Sequence, residues 1–231
     1  MKQSIPHVID TNREGIVDKN DCTVRAIKNG FGITYKEAHR LCSEAGRKIN
    51  KGANMSNMVV YVAKAKAKKV KQFQLPFPIT LEKYMQLCSL KTQICLIRKH
   101  TFVVKKKVVH DHLTNKATKL VYSYWVTSEP EKFKCPIEES LKSELYLLGF
   151  PSHALAGKTV TRNSLRTQED VIYFLHKLGK EFKIDLTTNQ IADLSGIPHS
   201  NVSHLHSKMK LGTKECTYKI KENKKEELPV K

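Results

Sequence analysis

No apolar run in this chain reaches the roughly 18 residues that a membrane-spanning helix needs. The first stretch, MKQSIPHVIDTNREG, has no apolar h-region, so no secretory signal and no membrane partner are expected, and the cytoplasm is the expected location. Six cysteines are present (Cys22, Cys42, Cys88, Cys95, Cys135 and Cys216), but none forms a CxxC pair, which argues against a zinc ribbon. In a reducing compartment they are expected to be free thiols, mostly small buried apolar residues, with at most one of them reactive. No internal repeat is visible. Acidic residues are scarce: 22 Asp and Glu stand against 41 Lys and Arg, a formal net charge of +19. That excess favours a polyanionic partner, most simply nucleic acid; a lysine-rich solvated surface is the plainer alternative.

What remains is ample for a folded protein. With 231 residues, 40% of them hydrophobic, the chain can build one domain with a real core or two small ones. Residues 1–19 read as irregular. Cys22 to Phe31 reads as a helix, with Val24, Ile27 and Phe31 on one face and Gly30 and Gly32 ending it. Thr34 and Glu37 form a capping box for a second helix ending at Gly46, and Asn54 to about Lys68 reads as a third. The lysines at the end of that helix, Lys64, Lys66, Lys68 and Lys69, offer a phosphate-facing edge or a solvated one. Pro76 and Pro78 read as a break, followed by a short helix from Leu81 to Leu90.

The pattern then turns to β. Gln93–Ile97, Thr101–Val104, Lys107–His110 and Leu120–Thr127 read as strands rich in Ile, Val and Tyr, so helices followed by an antiparallel sheet predict an α+β fold. Ser128 to Lys132 reads as a linker, Ile137 to Phe150 as a helix and Pro151 to Arg166 as a hinge. Thr167 to about Phe182 reads as another helix, and residues 212–231 as a charged, disordered tail.

One stretch invites chemistry. In Asn20 to Ile27, NDCTVRAI, a cysteine stands at the start of a helix, where free N–H groups and the helix dipole favour a thiolate. A histidine is needed to take its proton and a third group to orient the imidazole. His100 sits at the end of one strand, just before the next, and Asp111 ends the neighbouring strand, ends that a tight antiparallel pair can bring together. Asn20 or a nearby backbone amide is a candidate oxyanion donor, whereas Asp21, a carboxylate beside the thiol, argues against a lowered pKa.

NDCTVRAIKNGFGITYKEAHRL resembles the start of papain-like proteins found in many phage genomes, in which a D-C-x-x-R-A helix precedes a T/S-Y-x-E-A/V helix. HTFVVKKKVVHD resembles that family's histidine hairpin, and YSYWV its closing strand. The resemblance covers about residues 16–127. It implies a papain-like fold with Cys22 as nucleophile, His100 as base and Asp111 as orienter, and no cofactor. At Lys99-His100-Thr101 the chain departs from the glycine-led approach more usual in that family.

A second signature is independent of the first. LTTNQIADLSGIPHSNVSHLHSK resembles a helix-turn-helix: Ala192, Gly196, Val202 and Leu205 stand at the expected spacings, with Ile191 and Ile197 as apolar neighbours and Thr188 as a cap. The second helix, from Pro198 to about Met209, is the expected reader of a DNA major groove. His199, Ser200, Asn201 and Ser203 are candidates for base edges, and His204, Lys208 and Lys210 for phosphates. His204 and His206 stand two apart, do not share a helix face and are too few for a metal, so no metal is expected.

These readings predict a papain-like domain at 1–128, a linker and connecting helix at 129–166, a helix-turn-helix domain at 167–211 and a tail at 212–231. The expected partners are double-stranded DNA and a protein or peptide substrate, in the host-cell cytoplasm if the protein is phage-encoded. Two functions compete: a cysteine hydrolase (peptidase or amidase) acting on a DNA-associated target, and a catalytically silent papain-like scaffold in a DNA-binding regulator or packaging factor.

Overall fold

The computed structural model describes residues 5–89, 91–113, 117–127, 136–156, 165–213 and 218. Among these residues the chain forms eight helices and six strands. In order they are β1 (His7–Ile9), α1 (Cys22–Phe31), α2 (Tyr35–Glu44), α3 (Met55–Ala65), β2 (Lys71–Thr80), α4 (Leu81–Leu87), β3 (Gln93–Ile97), β4 (His100–Lys105), β5 (Val108–Asp111), β6 (Leu120–Val126), α5 (Pro136–Leu147), α6 (Gln168–Glu181), α7 (Thr188–Ser195) and α8 (His199–Lys208). The fold is α+β. One mixed sheet runs in the order β1-β5-β4-β3-β6-β2, with β1 parallel to β5 and every other pair antiparallel.

Helices cover both faces of this sheet. On one side Val24, Ile27, Tyr35, Val59 and Val62 of α1–α3 bury against Ile94, Val103 and Trp125. α1 approaches β3 closely because position 30 has no side chain: a Cβ there would lie 2.6 Å from Ile94. The helix therefore runs through Gly30 and ends at Gly32, whose φ of 67° suits only a residue without Cβ strain. On the other side Phe77, Phe102 and Tyr124 belong to one buried cluster with Leu141, Leu175, Ile191, Leu194 and Val202. The helix-turn-helix stretch, read from sequence as a separate unit, is thus built onto the same core as the sheet.

Gly196 makes that union possible. It caps α7 at φ 71°, and a Cβ on it would lie 2.3 Å from Thr80 Oγ1 and 2.5 Å from Lys83 Cβ. Thr80 donates its hydroxyl to the Gly196 carbonyl at 3.1 Å, and Lys83 ties α4 to α5 through Glu144 at 2.7 Å. The expected linker at Ser128 to Lys132 lies outside the described residues, as do 157–164 of the expected hinge and most of the expected tail.

Two strands were not foreseen. β1 is three residues long, too short for any alternation to register. β2 contains both Pro76 and Pro78; its register shifts between Gln74 and Ile79, and it lies at the sheet's edge, where a residue without N–H is tolerated. In the lysine run after α3, Lys66 pairs with Glu37 at 2.9 Å and Lys68 donates to the Phe31 carbonyl at 3.0 Å, so part of it joins α3 to its neighbours.

Candidate functional site around Cys22

Cys22 opens α1 and is partly exposed. Its cap residue, Asp21, makes no side-chain bond to the first-turn amides. The Asp21 carboxylate instead turns inward, where Oδ2 accepts from Arg13 at 3.0 Å, Arg25 at 2.9 Å and the Tyr35 hydroxyl at 2.9 Å. The like-charge conflict expected between Asp21 and the Cys22 thiolate is relieved by these arginines.

His100 and Asp111 reach the same place from the sheet. A two-residue turn, Arg98-Lys99, returns β3 into β4, so His100 pairs with Ile97 at the tip of the hairpin. A second turn, Lys106-Lys107 with φ of 50° and 60°, returns β4 into β5, which ends at Asp111. His100 Nε2 lies 2.5 Å from Asp111 Oδ2, and the Asp111 side chain is only 1% exposed. With Nε2 committed to the carboxylate, Nδ1 is the nitrogen left for the thiol.

Electrostatics set Cys22 apart. Burial alone would raise its thiol, but hydrogen bonding and charge from His100, with the Thr101 backbone N–H and the Thr23 hydroxyl, lower it below the ordinary range. His100 moves the opposite way. Burial would lower it, but Asp111 and then Cys22 raise it to about 9. Burial pushes Cys42 up to about 12 and Cys88 up to about 11, and raises Cys95 further still. Of the cysteines among the described residues, Cys22 alone has its thiol lowered; Cys135 and Cys216 lie outside them.

Two polar networks hold these parts together. Asp10 follows β1, donates its N–H to the Asp111 carbonyl at 2.7 Å, and binds Lys28 of α1 through both carboxylate oxygens at 2.9 and 2.8 Å. It thereby straps the strand that ends in Asp111 to the helix that begins with Cys22. Asp18 pairs with Arg47 at 2.7 Å, both side chains fully buried, and accepts the N–H of Asn20 and of Asn50. This fixes the loop ahead of Cys22 to the loop after α2. Asn20, the candidate oxyanion donor, belongs to this tie: its side chain donates to the Asn50 carbonyl at 2.7 Å and is absent from the cavity lining. The N–H groups at the start of α1 remain as the donors nearest the thiol in sequence.

A cavity of about 510 Å³ opens beside Cys22 and His100, lined also by Gly52, Asn54, Met55, Leu96, Lys99 and Trp125. Sequence reasoning missed Asp10, Asp18, Arg47 and Thr101. Thr101 had a signal, since it follows His100 directly; the others act through pairings that no local pattern displays. The one metal-ligand grouping among the described residues joins His100 and Asp111 to His112, with donor atoms within 4.8 Å of one another, and two of its three members are already bonded to each other beside Cys22.

The second candidate surface lies across the sheet. Thr187, one residue before the expected Thr188, caps α7 with a full capping box, and Thr188 Oγ1 lies 3.1 Å from His199 Nε2. Val202 is wholly buried, while His199, Ser200, Asn201, Ser203, His204, Lys208 and Lys210 are all exposed. Asn201 donates to Gln168 of α6 at a long 3.4 Å, and His206 meets the His176 ring edge-on at 5.5 Å. No family model, no curated protein and no solved structure matches this chain.

Proposed function

We propose that the chain is a papain-like cysteine hydrolase of the peptidase or amidase kind, with Cys22 as nucleophile, His100 as general base and then acid, and Asp111 as the group that orients the imidazole. The observation that carries this reading is the His100–Asp111 contact at 2.5 Å beside a thiol that His100 lowers. A thiolate paired with an imidazolium attacks a carbonyl without first having to lose a proton. The N–H groups at the start of α1, the donors nearest the thiol in sequence, would stabilise the oxyanion that forms. The test is alkylation of Cys22 by iodoacetamide at neutral pH. Rapid labelling that is lost in His100→Ala supports the enzyme, whereas labelling no faster than that of an ordinary thiol favours a silent scaffold.

A second reading concerns duplex DNA, which we propose as a partner of α8. It is favoured by a helix whose one face buries Val202 while the other presents Asn201, His204 and Lys208 on a chain of net charge +19. Because α1–α3 and α4–α8 lie on opposite faces of the sheet, the two activities do not share a surface. A protein held on DNA by α8 keeps the Cys22 cavity open to a different molecule. Binding to duplexes across a salt series, followed by fluorescence anisotropy, tests this reading; no binding even at low salt ends it.

A further inference from the structure

The cavity beside Cys22 is unbalanced in charge. Apart from Cys22 and His100 its one ionisable lining residue is Lys99, and no Asp or Glu lines it. Two helices also begin there: α1, of 10 residues, at Cys22, with no side chain capping its first turn, and α3, of 11 residues, at Met55, whose Ser56 and Asn57 N–H groups donate to Asn54 Oδ1. Each N-terminus carries a partial positive charge of roughly half an elementary charge. Of the acids behind the site, Asp18 is matched by Arg47 and Asp21 by Arg13 and Arg25, while Asp111 is held between His100 and His112. The remaining surface is compact. Met55 and Trp125 are apolar and nearly buried, and a Cβ on Gly52 would meet nothing within 4 Å, which leaves room for a small group.

The geometry points to a carboxylate-bearing amide as the substrate, a glutamyl or aspartyl group one or two residues long, with Lys99 at the cavity mouth as its counter-charge. This rests on the reading of Cys22 as nucleophile. The Cys22 thiolate attacks the amide carbonyl and forms a C–S bond. The C–N bond breaks as His100 gives its proton to the leaving amine. Water, losing a proton to His100, then cleaves the thioester and returns a free acid and the Cys22 thiolate. The substrate's carboxylate takes no part in bond making; it holds the carbonyl over the sulfur.

Iodoacetate and iodoacetamide test the charge preference without a known substrate. Both place the same CH₂ group on sulfur and expel iodide, but one carries a carboxylate and the other a neutral amide. On an unassisted thiolate the neutral reagent has the advantage, because like charges repel. On the full chain at low salt and neutral pH, labelling of Cys22 read by mass spectrometry should be faster with iodoacetate. Lys99→Gly should lower the iodoacetate-to-iodoacetamide ratio roughly three- to tenfold, Lys99→Arg should keep it, and added salt should shrink it. Glycine is suited to this position because φ there is 58°. A wild-type ratio of one or below, or a ratio that Lys99→Gly does not move, overturns the charge preference while leaving the nucleophile standing. Slow labelling by both reagents overturns the nucleophile and the substrate class with it.

Discussion

The two faces of the sheet are built by different physics. Beneath α1–α3 the protein buries charge: Asp18, Asp21, Arg25 and Arg47 are each at most 4% exposed. Beneath α4–α8 the buried cluster is apolar from Phe73 to Leu211, and the buried polar residues Asp170 and Ser195 bond to backbone or capping groups at helix ends. Buried ion pairs are costly to assemble and costlier to break, so they fix geometry more than they add stability. Apolar packing stabilises without demanding one orientation. Cys22, His100 and Asp111, whose proposed chemistry needs fixed geometry, are tied to the charged networks; α8, proposed to meet DNA, needs only to be displayed.

The sharpest way to break this contrast is at the proposed nucleophile, Cys22. His100→Ala should slow hydrolysis of a substrate by on the order of 100-fold or more, since it removes both the proton acceptor and the imidazolium that lowers Cys22. Steady-state kinetics check this, and an unchanged rate would leave Cys22 no special role.

Next in size is the buried pair. Asp18→Ala should cost about 3–5 kcal/mol in urea unfolding by stranding the fully buried Arg47, whereas Asp18→Ala with Arg47→Met should recover much of that loss. If the double variant is no better than the single one, the pair contributes net stability and the contrast between the faces weakens.

On the other face the effects should be smaller and specific to DNA. Asn201→Ala should weaken binding to a preferred duplex by roughly 1–3 kcal/mol with little change in salt dependence. Lys208→Ala should weaken all duplexes alike and reduce the salt slope by about 1. Equal binding of all duplexes with a silent Asn201→Ala would mean that α8 coats DNA without reading it.

The pH dependence of stability also belongs to the charged face. His100 rises from 6.5 in the unfolded chain to about 9, so it binds its proton more tightly when folded. Its contribution is complete below pH 6.5 and is lost as the pH rises through about 9. Asp18 behaves in the opposite sense. Burial would raise its carboxyl, but Arg47 holds it below 3.8, so its contribution is present above that pH and fades under more acid conditions. Urea midpoints measured between pH 6 and 10 should fall toward the alkaline end in the wild type and fall less in His100→Ala.

The local elements were largely legible. The start of α1 at Cys22, the cap Thr34 and β3 from Gln93 to Ile97 follow from periodicity and capping chemistry, which act over a few residues. β1 and β2 were not, because one is too short for a pattern and the other hides its pairing behind two prolines. Asn20 read as an oxyanion donor from its nearness to Cys22 in sequence; the structure spends its amide on Asn50, a partner 30 residues away.

By itself, then, the sequence determined the residue types and where several of the helices and strands lie: a cysteine at a helix start, a histidine and an aspartate at strand ends, and a helix whose polar residues stand clear of Val202. Only the tertiary structure decided that Asp10 straps β5 to α1, that Arg47 neutralises Asp18, and that Gly196 seats the helix-turn-helix against Thr80. The reason is physical. Propensity and capping depend on neighbours in the chain, whereas the partner of a buried charge or a close-packed glycine is fixed by which distant segments the shared core brings into contact.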